Sequence, residues 1–331
     1  AIREACRQHH RALGALDALH LTEHEKPGAD GMASGKNAET ELRRNRLRRI
    51  AGLLACPKCG TALSTWLNRC ECQGCGAEYP IRNHRIFFIE PQSSGDEIDS
   101  LKARIRRLIG PGYRTLVDIV APDFPVRRKH ELRKCFNPET QLVIDCGSGS
   151  QRIHPDVVTL DFTDYEAVDI VCDICARLPF VDSALDGAVS WGVIEHLKTP
   201  GLLVSELARC VKPGGKTIHM VPFLYHFHSS PHDFSRFSHQ GLRELFSSFK
   251  VLDVRNVSGP VSYFTLGFVE FLSSLLSFGN EKLKGIFYLL LCALIFPVKV
   301  LDLPFINRKS FIGMAPCLLV VAEKTAAEDG A

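Results

Sequence analysis

"VIDCGSGSQR", residues 143–152, is the stretch that decides the fold. Val143 and Ile144 lead into Asp145, and the run then breaks at Gly147 and Gly149. An apolar strand ending in a glycine turn that opens a helix is how a parallel sheet presents its carboxyl edge to a nucleotide-like ligand. Six further apolar runs follow: "VVTLD" (157–161), "DIVC" (169–172), "ALDGAVSW" (184–191), "KTIHMVPF" (216–223), "FKVLDVRNV" (249–257) and "PCLLVVAEK" (316–324). With helix-forming stretches between them, they predict an α/β fold, a Rossmann-like seven-stranded doubly wound sheet. A chain of 331 residues, 45% hydrophobic and 23% charged, can bury such a core. Its net charge of +3 is too small to argue for nucleic acid.

Three acids follow three successive strands: Asp145, Asp161 and Asp173. A carboxylate offers two oxygens to the adjacent hydroxyls of a ribose, which suits Asp161 to an adenosine-bearing cofactor. A dinucleotide fingerprint would need a third glycine where Arg152 stands, and an acid about twenty residues on, farther than Asp161 lies. S-adenosylmethionine has no pyrophosphate to cradle. Asp145, Gly147 and Gly149 would then meet its amino-acid tail, Asp161 its ribose, and Asp173 the adenine amine, with Ile174 against the ring face. Trp191, at the end of the fourth strand, completes the expected cofactor set. A lone Asp at a strand end often caps the next helix; three in register favour cofactor binding.

Four ordered stretches carry a family likeness: "VIDCGSGS", "VVTLDF", "CDICARLPFVDSALDGAVSWGVIEHL" and "ELARCVKPGGKTIHMVPF". With them the chain resembles the class I S-adenosylmethionine-dependent methyltransferases, type 11-like, over about 142–258 and 316–323. The resemblance implies that fold, that cofactor and methyl transfer. One position departs from the family pattern: Gln151 stands where its glycine turn has a third glycine.

Methyl transfer from a sulfonium is an in-line displacement, so the protein must chiefly align the acceptor, and a hydroxyl acceptor also benefits from a base. The loop after the fifth strand, "YHFHSSPHDFSRFSHQGL" (225–242), is dense in suitable groups. His228 and His232 are expected to contact the acceptor or act as base, with Asp233 orienting them. The loop resembles one in family members from glycan gene clusters. A metal held by His226, His228 and His232 is a further option, and His196 in "VIEHL" reads equally as a structural or a pocket histidine.

Thirteen cysteines are present, five of them between 56 and 75. Cys56-x2-Cys59 and Cys72-x2-Cys75, with twelve residues between the pairs, form two knuckles whose thiolates can surround a structural Zn2+. Cys70 is a competing ligand. Cys146, Cys172, Cys210 and Cys317 lie singly in apolar runs as small hydrophobes. With Leu63, "YPI" (79–81) and the apolar 86–89, this segment resembles the zinc ribbon of a transfer-RNA methyltransferase activator subunit, also fused to the front of many bacterial methyltransferases. The resemblance implies a structural or partner-contacting role.

The expected organisation is a flexible segment to residue 40, a zinc ribbon at 41–90, a linker and helical entry at 91–137, the methyltransferase domain at 138–323 and a tail. The arginines of 43–49 read as a solvated helix face. No signal-peptide pattern opens the chain, so a reducing cytoplasm is expected.

An apolar helical insertion, 260–312, precedes the last strand. Between Asn256 and Glu281 the only charge is Glu270, and 285–298 has none. Fourteen helical residues reach about 21 Å, short of a ~30 Å hydrocarbon core. With Lys282, Lys284, Lys299, Arg308 and Lys309 as flanking anchors, the insertion is read as peripheral membrane contact at the inner face, rather than a lid, a buried helix pair or a dimer face.

The acceptor expected is therefore a lipid-linked, glycan or other membrane-proximal small molecule. Two rivals stand: an RNA base methyltransferase whose basic stretches 43–49, 104–107 and 127–134 follow phosphates, and a zinc-ribbon scaffold without catalysis.

Overall fold

A computed structural model describes residues 31–92, 110, 113–228 and 232–326. The helix expected within 1–20, most of the 91–110 hinge and helix, and the basic stretch 104–107 lie outside these residues.

The loose segment expected through residue 40 is corrected at its end, because helix α1 spans Gly31–Ile50. An apolar scan misses this helix because arginines dock it. Arg43, Arg46 and Arg49 share one stripe at three-residue spacing. Arg43 donates to the Glu166 carbonyl (2.8 Å), and Arg49 to those of Asp156 (3.0 Å) and Gln141 (2.7 Å). Arg46, 1% exposed, reaches the Pro155 carbonyl at 2.7 Å and the Asp169 carboxylate at 3.1 Å. These three guanidiniums therefore form neither a solvated face nor a phosphate track.

Strands β1 (Leu63–Thr65), β2 (Arg69–Cys72), β3 (Glu78–Arg82) and β4 (Arg85–Phe87) form an antiparallel ribbon. It is not a bead on a linker. Strand β4 pairs in parallel with a strand of the main sheet, Ile86 opposite Ile170 and Phe87 opposite Val171. Leu54 bridges Phe180, and the Ala55 amide donates to the Pro179 carbonyl at 3.1 Å. One eleven-stranded sheet results.

Two helices, α2 (Tyr113–Val120) and α3 (Arg128–Cys135), precede the expected strands β5 (Val143–Cys146), β6 (Val158–Asp161), β7 (Ile170–Val171), β8 (Leu185–Trp191) and β9 (Val211–Pro222). These five run parallel in the order β7-β6-β5-β8-β9. All four residues of β5 and of β6 are buried, as strands covered on both faces must be. Helix α4 (Pro200–Cys210) covers the sheet with Leu203, Val204, Leu207 and Cys210, a helical stripe. After α5 (His239–Leu245), whose first turn Ser238 caps, strand β10 (Lys250–Asn256) lies at the edge. The last strand, described below, inserts antiparallel between β9 and β10.

The insertion is a helical hairpin, α6 (Pro260–Leu276) and α7 (Glu281–Ile295), followed by a 3-10 turn, Phe296–Asp302, and then β11 (Cys317–Glu323). The returning arm is longer than the fourteen apolar residues suggested: Glu281–Asp302 is 22 residues and contains an 18-residue window of mean hydropathy 2.0, long and apolar enough to cross a membrane by length and composition. Its end is fastened by buried charges. The Asp302 carboxylate accepts from the Gly259, Val261 and Ser262 amides (3.2, 2.8 and 2.7 Å), satisfying the first turn of α6. Lys299 is corrected from anchor to staple: buried, it donates to the Asp118, Ile119 and Ala121 carbonyls at 2.7–2.8 Å, at the end of α2. Lys284 pairs with Glu270 at 2.6 Å. Lys282, Arg308 and Lys309 remain exposed. Outside the base the hairpin is apolar and uncovered: Phe264, Phe268, Phe271 and Leu275 on α6, Leu289 and Leu294 on α7, and Phe278 at the turn, 93% exposed.

Candidate functional site

The carboxyl ends of β5, β6, β7 and β8 converge on the glycine turn. Gly147 and Gly149 have φ of +69° and +61°, and a Cβ on Gly147 would lie 2.7 Å from Val193 Cγ1. The turn is pinned by the Gly147 amide on the Leu160 carbonyl and the Gly149 amide on Asp161 Oδ2, both 2.8 Å. Asp161 also accepts from the Thr163 amide at 2.9 Å, which leaves a carboxylate lone pair on each oxygen for a ligand. Asp173 is exposed, with one oxygen taken by the Cys175 amide at 2.8 Å, and Ile174 beside it is buried.

Buried polar atoms without partners surround this turn: Asp145 Oδ1, Ser148 Oγ and Trp191 Nε1. A native interior rarely leaves such atoms unpaired, and these three could meet the polar groups of a ligand. The residues present fit a cofactor with an ammonium tail and a ribose. Two clefts, one lined by Lys212–Lys216 and one by Val126–Glu131, lie away from this edge.

Burial pushes the Asp145 carboxyl up to about 7. The fold therefore favours the neutral acid, and this group's contribution to stability is complete below pH ~4 and lost as pH rises through about 7. Asp145→Asn in the ligand-free protein is expected to melt roughly 5 °C above the parent at pH 8, with the two curves converging below pH ~4. Thermal melts across that range check it.

The loop after β9 folds back on the segment that follows β8. Phe234 and Ser235 donate backbone amides to the Glu195 carbonyl at 2.8 and 3.3 Å. Glu195, 1% exposed, places Oε1 3.8 Å from Nε2 of both His196 and His228, while its Oε2 has no hydrogen-bond partner. The carboxylate raises the His228 imidazole above its usual range, against the effect of burial. Asp233 accepts the His228 amide (2.8 Å) and is clamped by Arg236, which holds its carboxyl down at about 2. Arg236 also ties the Tyr225 and His226 carbonyls, at 3.1 and 2.9 Å.

The structure thus brings His228 and Asp233 together, and His196 joins them. His232 stands apart: its side chain is exposed and its carbonyl receives His196 Nδ1. Glu195 was missed in the sequence; its only signal was an acid preceding a histidine just beyond a strand end.

In the ribbon, the sulfurs of Cys56, Cys59, Cys72 and Cys75 lie within 4.8 Å of one another. The Gly60 and Gly76 amides close each knuckle onto the Cys56 and Cys72 carbonyls at 2.8 and 2.9 Å. Tetrahedral thiolate coordination at about 2.3 Å needs such a cluster. Cys70 is outside it, buried against Thr65 with its thiol pushed up to about 12 by burial.

Residues 145–219, a stretch that includes the glycine turn, the three acids and most of β9, match the family described as a methyltransferase domain. No curated protein sequence matches the chain. Among solved structures, a complex between the Haloferax volcanii Trm112 methyltransferase activator and a methyltransferase is similar at 18% identity and TM-score 0.42, over 72% of this chain and 100% of that one. Phosphoethanolamine N-methyltransferase 2 of Haemonchus contortus, with S-adenosyl-L-methionine, is similar at 16% identity and TM-score 0.40, over 66% and 59%. A Burkholderia thailandensis 1,6-didemethyltoxoflavin-N1-methyltransferase is similar at 13% and 0.38, over 75% and 96%.

Proposed function

We propose that this chain transfers a methyl group from S-adenosylmethionine to an oxygen of a lipid-linked, glycan or other membrane-proximal acceptor. The cofactor supplies a methyl group on a sulfonium. Asp145, Gly147 and Gly149 receive its amino-acid tail, Asp161 its ribose hydroxyls, Asp173 and Ile174 its adenine, and Trp191 closes the end of β8. His228 faces the acceptor, Asp233 holds the loop that carries it, and His232 contributes its carbonyl rather than its ring. Cys56, Cys59, Cys72 and Cys75 hold a structural zinc ion.

One observation carries the acceptor class. The uncovered apolar hairpin lies within electrostatic reach of the loop after β9, where the charges of Glu270 on α6 and Lys284 on α7 act on His226. An apolar surface of this extent, with Lys282, Arg308 and Lys309 exposed about it, suits an anionic lipid face. The inward engagement of Arg43, Arg46 and Arg49 leaves the RNA reading with little basic surface there.

Calorimetric titration with S-adenosylmethionine and with NAD tests the cofactor. Saturable binding of the first alone, weakened at least ~10-fold in Asp161→Ala, is expected from the loss of a carboxylate that takes two hydroxyls; binding of neither would favour the scaffold. Co-sedimentation with anionic phospholipid vesicles tests the setting. Retention of the protein in the supernatant would remove the membrane-proximal acceptor.

A further inference from the structure

Beside the cofactor edge lies a group of side chains that the methyl-donor reading does not use. Two imidazoles and one carboxylate converge there, from Glu195 and His196 after β8 and from His228 after β9. We propose that they bind a divalent transition-metal ion, which holds the acceptor oxygen; this role rests on the methyltransferase reading, whereas the metal site does not.

The three ligating atoms lie within 4.8 Å of one another. An ion about 2.0–2.2 Å from nitrogen and oxygen ligands requires such mutual spacing. The outward sides of the rings match it. His196 Nδ1 faces the His232 carbonyl, and His228 Nδ1 faces the His226 carbonyl at 3.3 Å and Asp233 Oδ2 at 3.5 Å. His196 Nδ1 is thus the donor, and its Nε2 turns a lone pair toward Glu195 Oε1. His228 Nδ1 faces two acceptors and also Arg236 Nη2 at 3.5 Å, and in the Nδ1–H tautomer its Nε2 turns a lone pair to the same oxygen, 3.8 Å from both rings. Three electron-rich atoms facing one another without a cation repel, and Glu195 Oε2, buried and unpartnered, adds a fourth. A metal ion answers all of them; a single shared proton answers one pair.

Histidines oriented by a carbonyl and a carboxylate behind them are the usual outer support of a metal site. The clamp of Arg236 on Asp233 and on the Tyr225 and His226 carbonyls makes that support stiff. Two imidazoles and a carboxylate suit zinc, iron or manganese and leave coordination positions open. Glycine at 192 keeps one side of the carboxylate clear, because a Cβ there would crowd Glu195 Oε1 at 3.3 Å. Val193, three residues before His196, lies against Gly147, so the segment that carries Glu195 and His196 borders the cofactor turn.

In the reaction, a hydroxyl on the ion becomes more acidic and gives its proton to water. Its oxygen forms the new C–O bond as the C–S bond of the sulfonium breaks, and the bonding pair returns to sulfur as a neutral thioether.

The test uses the full chain with its four cysteines already loaded with zinc. Mn2+ and Zn2+ are titrated in turn by calorimetry. One further equivalent of either metal, weakened at least tenfold in both Glu195→Gln and His228→Ala and unchanged in Glu166→Ala, supports the site. No further equivalent, or one that persists in both variants, overturns it in favour of a protonated His–Glu pair. Glu195→Gln keeps the side-chain shape, and His228 is half-exposed, so both variants test ligation rather than folding. S-adenosylmethionine titrated into the same samples reports separately on the donor site.

Discussion

Stripping the metal from the four cysteines is expected to lower the melting temperature by more than roughly 10 °C and to weaken S-adenosylmethionine binding severalfold. A structural zinc ion contributes about 10–16 kcal/mol in small zinc-binding peptides, because the apo ligands have little else to order them. The ribbon here has three- to five-residue strands and a small core of its own. Its loss would not stay local. Strand β4 covers β7, a strand of two residues that leads directly into Asp173 and Ile174, and the Phe88 amide donates to the Val171 carbonyl at 2.9 Å. On the far side, the Val181 amide donates to the Leu53 carbonyl at 2.9 Å. The adenine end of the expected cofactor site is thus built on the ribbon's last strand. Chelation followed by thermal melts and donor titration checks this, with Cys59→Ser expected to act like chelation. Cys70→Ser is expected to keep one zinc per chain. If apo protein binds the donor as tightly as the loaded form, the ribbon is an independent module despite the shared sheet.

The five parallel strands were legible because strands buried on both faces appear as unbroken apolar runs, of which "VIDC" and "VTLD" are the plainest. The glycine turn and its acids were legible because strand ends bring sequence neighbours together in space. The ribbon's attachment was not, since Ile86 and Ile170 are partners across a long stretch of chain. Cys70 and Cys72 both occupy buried positions of β2, and only three-dimensional placement separates the ligand from the core thiol. Charge patterning misled at Lys299: an anchor and a staple have the same composition, and three helix-end carbonyls decide between them. Glu195 left almost no trace for the same reason, because its histidine partner His228 comes from the next strand's loop.

Asp169→Ala is expected to cost about 3–5 kcal/mol, the scale of removing one partner from a buried ion pair. Asp169 is buried and joins two arginines from distant parts of the chain: Arg46 Nε at 3.1 Å, and Arg152 Nη1 and Nη2, each at 2.8 Å. It also accepts from the Thr159 amide and hydroxyl at 3.1 Å. Without it, Arg152 remains in the interior with carbonyl partners only, at Val157 and Ala167, and Arg46 keeps the Pro155 carbonyl and the partly exposed Glu39 carboxylate at 3.0 Å. This network gives Arg152, which stands where a dinucleotide turn would have glycine, its own reason to be there: the segment after the glycine turn is strapped to the strand beside it. Arg46 straps α1 to the same carboxylate. Urea unfolding is the measurement, with Glu166→Ala as comparison. The Glu166 side chain is 96% exposed, so its surface pair with Arg43 is expected to leave the midpoint unchanged. Asp169→Asn separates charge from shape, because the amide keeps the volume but turns one acceptor into a donor facing two cations. A loss as large as that of alanine would show that the strap is ionic, whereas near-parental stability would assign it to packing and carbonyl contacts.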